Sequence, residues 1–115
     1  MNTGLAGSPI DKELALSRVG GDVELLREIA ILFLEDYPKV IADLHNAAAR
    51  GDALGVERTA HSLKGSVANF GAKGVMETAL KIEDLGRSRR IGEVAPLLQA
   101  LERALAAIKP ELEAL

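Results

Sequence analysis

The chain contains no cysteine and no tryptophan, and aromatic residues make up only 3% of it. Without cysteine there is no disulfide framework, no thiolate metal site and no thiol nucleophile, which fits a reducing compartment; the cytoplasm is the expected location. No alternating run rich in Val, Ile and Thr calls for a sheet. No apolar run approaches the roughly 20 residues that a membrane helix needs, and no signal-peptide pattern opens the chain, so a soluble protein is expected. A formal net charge of -3 provides no general attraction to phosphate backbones or anionic lipid. Neither nucleic acid nor a membrane is an expected partner.

What remains is a chain of 115 residues dominated by Ala and Leu, enough for one domain with one core. Residues 1–7, MNTGLAG, read as a loose leader. Ser8 as N-cap and Pro9 at the first helical position predict a short helix to about Arg18, stopped by Gly20 and Gly21. Asp22 then caps a long helix to about Ala49, whose apolar stripe holds Leu26, Ile29, Ala30, Phe33, Tyr37, Val40, Leu44, Ala47 and Ala48. The stripe continues past Pro38, so a local bend near Leu34 is expected instead of a break. Gly51 and Asp52 turn the chain into a third helix over about Ala53 to Phe70, ended by Gly71.

A fourth helix is expected over about Lys73 to Gly86, with Ala72, Val75, Met76, Ala79, Leu80 and Ile82 forming its apolar arc. The basic connector GRSRRIG leads to a last helix from about Glu93, with Val94, Leu98, Leu101, Leu105, Ile108, Leu112 and Leu115 spaced by fours and threes. Pro96 falls in its first turn, whereas Pro110 is expected to bend or fray its end. Short connections between long amphipathic helices favour antiparallel neighbours. The predicted fold is all-α, an antiparallel four-helix bundle with a short additional N-terminal helix.

On the third helix, TAHSLKGSVANFG, the residues Val56, Leu63, Val67 and Phe70 share one side, and His61 points almost the opposite way. Lys64 and Gly65 lie one turn on, on the same exposed strip. A helix-interior glycine costs about 1 kcal/mol relative to alanine. Because Gly65 faces away from the core, room for another molecule beside the imidazole accounts for it better than close helix packing does. A neutral imidazole nitrogen is a good nucleophile near neutral pH, and the Lys64 ammonium could hold an anionic group on the ring by charge-assisted hydrogen bonds. Arg58, on the preceding turn, adds positive field that Glu57 partly opposes. Glu83 falls within the apolar arc of the fourth helix, and two readings stand: it accepts a hydrogen bond from the His61 ring N–H, or it reaches solvent near the helix end.

The residues AHSLKGSVANFGA at 60–72 resemble the signature of histidine-containing phosphotransfer (HPt) domains of two-component phosphorelays. VGGDVELLREIAILFLEDYP is similar to the family's stretch leading into its long second helix, and LKIEDLGRS to its fourth, so nearly the whole chain is covered. The resemblance implies a phosphorylatable His61, a phosphate-stabilising Lys64, Gly65 as the clearance position and Ser66 as a further polar residue of the motif. Ser66 lies lateral to His61 on the wheel, which argues against direct phosphate contact. Some family members carry glutamine at the place of Glu83; an ionised glutamate cannot donate, so an orienting role toward the ring suits it better than contact with the phosphoryl group.

The partners so implied are response-regulator receiver domains and a sensor or hybrid histidine kinase. The chain is expected to be a monomeric phosphocarrier and not an enzyme, since no ATP-binding glycine-rich loop or kinase catalytic segment occurs. No cofactor of its own is expected; the divalent metal belongs on the partner receiver domain. Two other classes compete. A docking bundle without phosphotransfer would have the same helices but no need for the lysine and glycine beside an outward histidine. A metalloenzyme would need convergent ligands, and His61 and His45 are the only histidines, without the Glu-x-x-His pairs of di-iron bundles.

Overall fold

Aspartates start the first three helices, because a short carboxylate can accept from the main-chain N–H groups that a first turn leaves unpaired. The computed structural model of the protein describes residues 8–115, so the expected leader at 1–7 lies outside the described residues. α1 spans Lys12–Arg18, with Asp11 accepting from Leu14 N–H at 3.0 Å. This corrects the start expected at Ser8 and Pro9. The Ser8 hydroxyl donates instead to the Ile10 carbonyl at 2.8 Å, and Asp11 N–H donates to the Phe70 carbonyl at 2.9 Å. Burial of Ile10 and that bond hold the segment in a bend against the end of the third helix until Asp11 can cap.

α2 spans Val23–Ala49, capped by Asp22, and runs through Pro38 without a break. Leu26, Ala30, Phe33, Leu44 and Ala47 of its stripe are buried, and Ile29, Tyr37, Val40 and Ala48 pack half-buried beside them. α3 spans Ala53–Ala68, where Asp52 accepts from Gly55 N–H at 2.9 Å. After it Gly71 adopts φ +60°, and a Cβ there would lie 2.6 Å from that of Asp11, so both the left-handed turn and the close passage of α1 require glycine. The chain's two phenylalanines and single tyrosine meet: Phe33 stacks on Tyr37 at 5.5 Å and meets Phe70 edge-on at 5.6 Å, joining α2 to α3.

α4 spans Lys73–Arg87, and a 3-10 turn at Ile91–Glu93 leads into α5 over Val94–Glu113. Pro96 sits in the first turn of α5, which continues past Pro110 to Glu113. The expected apolar seam of α5 is buried from Val94 to Leu112. On α4 the buried arc is narrower than expected. Val75, Ala79, Ile82 and Gly86 are buried, whereas Leu80, one step of about 100° beyond Ala79, is exposed. Small residues let α4 lie close on α3, so only a thin stripe is covered.

α2 packs on α3, α3 most extensively on α4, α4 on α5, and α5 back on α2. Short turns between long helices make sequential neighbours antiparallel, so the four close a bundle around one core, and α1 lies across the end marked by Phe70 and Gly71. Among the described residues no strand occurs, and no helix is long and apolar enough to cross a membrane.

Candidate functional site

A close contact between α3 and α4 positions the site. A Cβ built on Gly86 would fall 2.7 Å from the Glu57 backbone nitrogen and 3.0 Å from the Ala53 carbonyl oxygen, so α4 touches the α3 backbone directly there. One turn before Gly86, Glu83 faces α3 and is only 3% exposed. A carboxylate so placed needs partners. It has three: His61 Nδ1 donates to Oε2 at 2.9 Å, Lys64 Nζ to Oε1 at 2.7 Å, and Arg87 Nη2 to Oε2 at 3.0 Å. Of the two readings of Glu83, the bond to the imidazole is the one formed.

Hydrogen bonding from Lys64 is the main influence holding the Glu83 carboxyl below its ordinary titration range; burial opposes it, and the His61 bond and the Lys64 charge add to it. Glu83 is therefore ionised at neutral pH and can only accept, which assigns the ring proton to Nδ1. In the neutral ring the lone pair is then on Nε2, on a side chain 68% exposed. The result is an oriented imidazole at the surface, with a carboxylate behind it.

Lys64, expected on the exposed strip, is only 29% exposed because it is ion-paired to Glu83. Its reach around the helix to α4 could not be read from its own helix. Gly65 is exposed, and a Cβ on it would meet no atom within 4 Å, so the surface beside the imidazole is open. Ser66 is not drawn into this cluster: its hydroxyl donates to the Ser62 carbonyl at 3.2 Å. Arg58 borders the same shallow cleft as His61, Glu57, Glu83 and Arg87. Glu57 pairs with Arg87, whose Nε donates to it at 3.2 Å.

Sequence reasoning missed Arg87 and the packing role of Gly86. Both were assigned to the end of the fourth helix or the basic connector. The available signal is the wheel of α4: Gly86 falls on its buried face, so the helix can run through it, and Arg87 then lies one turn after Glu83. Beside the histidine strip, Ile29, Leu32, Phe33, Asp36, Ser66 and Asn69 border a groove of mixed polarity between α2 and α3. His45 lies elsewhere, paired through Nε2 with Glu102 between α2 and α5. Among the described residues no three His, Asp or Glu side chains converge as a metal ion would require.

Among curated proteins, none matches the chain at the sequence level. In fold it is similar to histidine-containing phosphotransfer protein B (HptB) from Pseudomonas aeruginosa PAO1, with 24% identity over 92% of each chain and a TM-score of 0.85. It is also similar to the HPT domain from the Hpt sensor hybrid histidine kinase from Shewanella, with 17% identity over 92% of each chain and a TM-score of 0.78. Residues 28–111, most of the chain and all of the His61, Lys64, Glu83 and Arg87 cluster, match the model of the Hpt domain, and the protein belongs to the Hpt domain family.

Proposed function

We propose that this Hpt domain accepts a phosphoryl group on His61 Nε2 and relays it to or from an aspartate of a response-regulator receiver domain. The observation that carries this reading is the Nδ1–H bond from an outward imidazole to the buried carboxylate of Glu83. In the forward step the Nε2 lone pair attacks phosphorus of the receiver's aspartyl phosphate. The N–P bond forms, the P–O bond to the aspartyl carboxyl breaks, and the aspartate leaves as a carboxylate with the electron pair. No proton has to move, since Nδ1 keeps its hydrogen throughout. The ring gains positive charge as the bond forms, and Glu83 lies at hydrogen-bond distance to stabilise it.

Lys64, one turn from His61, is the cation available to the phosphoryl oxygens. Gly65 leaves room for the receiver's approach, and the groove between α2 and α3 continues that face, where Ile29, Leu32 and Phe33 offer the receiver nonpolar contact among polar neighbours. Glu83 orients the ring; Arg58 contributes positive field at the cleft, and Ser66 lines the docking groove. The domain acts as a monomeric cytoplasmic carrier, with the donor phosphate originating from a sensor or hybrid histidine kinase. It uses no cofactor of its own, and the receiver supplies the divalent metal.

The test is incubation with a phosphorylated receiver domain. Wild type is expected to take up acid-labile, base-stable label; His61→Gln should abolish it and His45→Gln should not. Label retained in His61→Gln would overturn the assignment.

A further inference from the structure

Lys64 faces two anions in the proposed reaction. In the resting protein its ammonium is bonded to Glu83 Oε1, yet the phosphoryl group arrives one turn away on His61. If Lys64 turns to the phosphoryl oxygens, a carboxylate that is 3% exposed loses its closest cation. A buried charge stripped of its partner is strongly unfavourable. Something has to remain on Glu83 while Lys64 departs.

Arg87 is placed to do so. It donates to Glu83 Oε2, the oxygen that Lys64 does not use. All three of its guanidinium nitrogens are engaged: Nε with Glu57 at 3.2 Å, Nη1 with Asp84 at 3.1 Å and Nη2 with Glu83 at 3.0 Å. A planar fork fixed at three carboxylates is not free to follow a phosphoryl group. A lysine ammonium on a flexible stem, bonded to one carboxylate oxygen, is.

We propose that Arg87 is a positioning residue that keeps Glu83 neutralised while Lys64 transfers from the carboxylate to the phosphoryl group on His61. The inference rests on the phosphocarrier reading and assigns to it a division of labour between two cations. Arg87 stays with the buried carboxylate, and Lys64 moves. Without Arg87, Lys64 is retained by Glu83 and the phosphoryl group develops with less compensation.

The experiment measures initial rates of phosphorylation by the same phosphorylated receiver for wild type, Arg87→Gln, Arg87→Lys, Glu83→Gln and the Glu83→Gln/Arg87→Gln double variant. A hydrogen bond to a charged group is worth enough for Arg87→Gln to slow transfer by about tenfold. Arg87→Lys, which restores the charge, should recover part of that loss. In the Glu83→Gln background there is no carboxylate to neutralise, and Arg87→Gln should leave the rate unchanged. Equal slowing in both backgrounds would show that Arg87 acts on the receiver or the phosphate directly and would overturn the proposal. So would a wild-type rate in Arg87→Gln, with or without a lowered melting temperature. Failure of wild type itself to be labelled on His61 would instead defeat the phosphocarrier reading.

Discussion

The same substitution at two helix glycines should act in opposite directions. In Gly65→Ala the added methyl meets no atom within 4 Å, so the helix-propensity gain of alanine over glycine, about 1 kcal/mol, is realised in full. For a domain of this size that gain raises the melting temperature by roughly 4 °C. In Gly86→Ala the methyl would lie 2.7 Å from the Glu57 nitrogen, 3.0 Å from its Cα and 3.0 Å from the Ala53 oxygen. All three are main-chain atoms, so relief requires moving α3 against α4, and overpacking of this kind costs roughly 1–3 kcal/mol. The propensity gain is small so near the end of α4, and the net effect should be a loss of about 1–2 kcal/mol. Thermal unfolding followed by circular dichroism separates the two variants. Transfer from a phosphorylated receiver completes the comparison: Gly65→Ala should be slower despite its greater stability, because its methyl intrudes where the receiver must approach Nε2. A lowered melting temperature with unchanged transfer for Gly65→Ala would place that glycine in packing and not in docking. A raised melting temperature for Gly86→Ala would refute the close contact between α3 and α4.

Lys64→Ala should reduce phosphorylation of His61 and also destabilise the fold by about 1–2 kcal/mol, because it removes a charge-assisted bond from a buried carboxylate that keeps two other donors. Lys64→Arg should recover part of each effect, and equal rates for wild type and both variants at low and high salt would make Lys64 a bystander. Glu83 governs the acid limb of stability: its carboxyl is held below the ordinary 4.5, so its contribution is complete above that value and is lost as pH falls through the lower folded-state value. Chemical denaturation from pH 6 to about pH 3 should therefore show a steeper loss in wild type than in Glu83→Gln, and parallel slopes would contradict the ionised, hydrogen-bonded carboxylate.

The helices were legible because each buries one stripe along its length, and a stripe is a property of the helix's own sequence. His61 could be placed outward for the same reason. What escaped depends on contacts between elements. The wheel of the third helix puts Lys64 on the exposed strip but cannot show its partner, Glu83, which is on another helix. The wheel of α4 put Glu83 inward but could not say which of its neighbours would meet it. Helix ends failed where a stop signal had another use: Gly86 was taken as the end of the fourth helix, yet it serves close packing, and the left-handed turn falls to Arg89 at φ 61°. Ser8 and Pro9 carried the composition of a helix start, but the burial of Ile10 and the bond from Asp11 to Phe70 settled the matter from outside the segment.

These contacts also explain what a carboxylate brings that an amide would not. A glutamine at position 83 could accept the Nδ1–H of His61 and set the same tautomer without burying a charge. The glutamate requires Lys64 and Arg87 as counter-ions, and their attraction offsets its desolvation. In return it places a full negative charge at hydrogen-bond distance from the ring nitrogen opposite the reacting one. That charge matters little to a neutral imidazole and much to one that becomes cationic as the N–P bond forms, so the stabilisation falls on the transition state and the product more than on the resting protein. The same charge binds Lys64 in the resting protein, which works against the proposed move to the phosphoryl group. An arginine already in place on the other carboxylate oxygen lessens that conflict. Glu83, Lys64 and Arg87 are joined by hydrogen bonds into one cluster, and substitutions among them should be non-additive in both rate and stability.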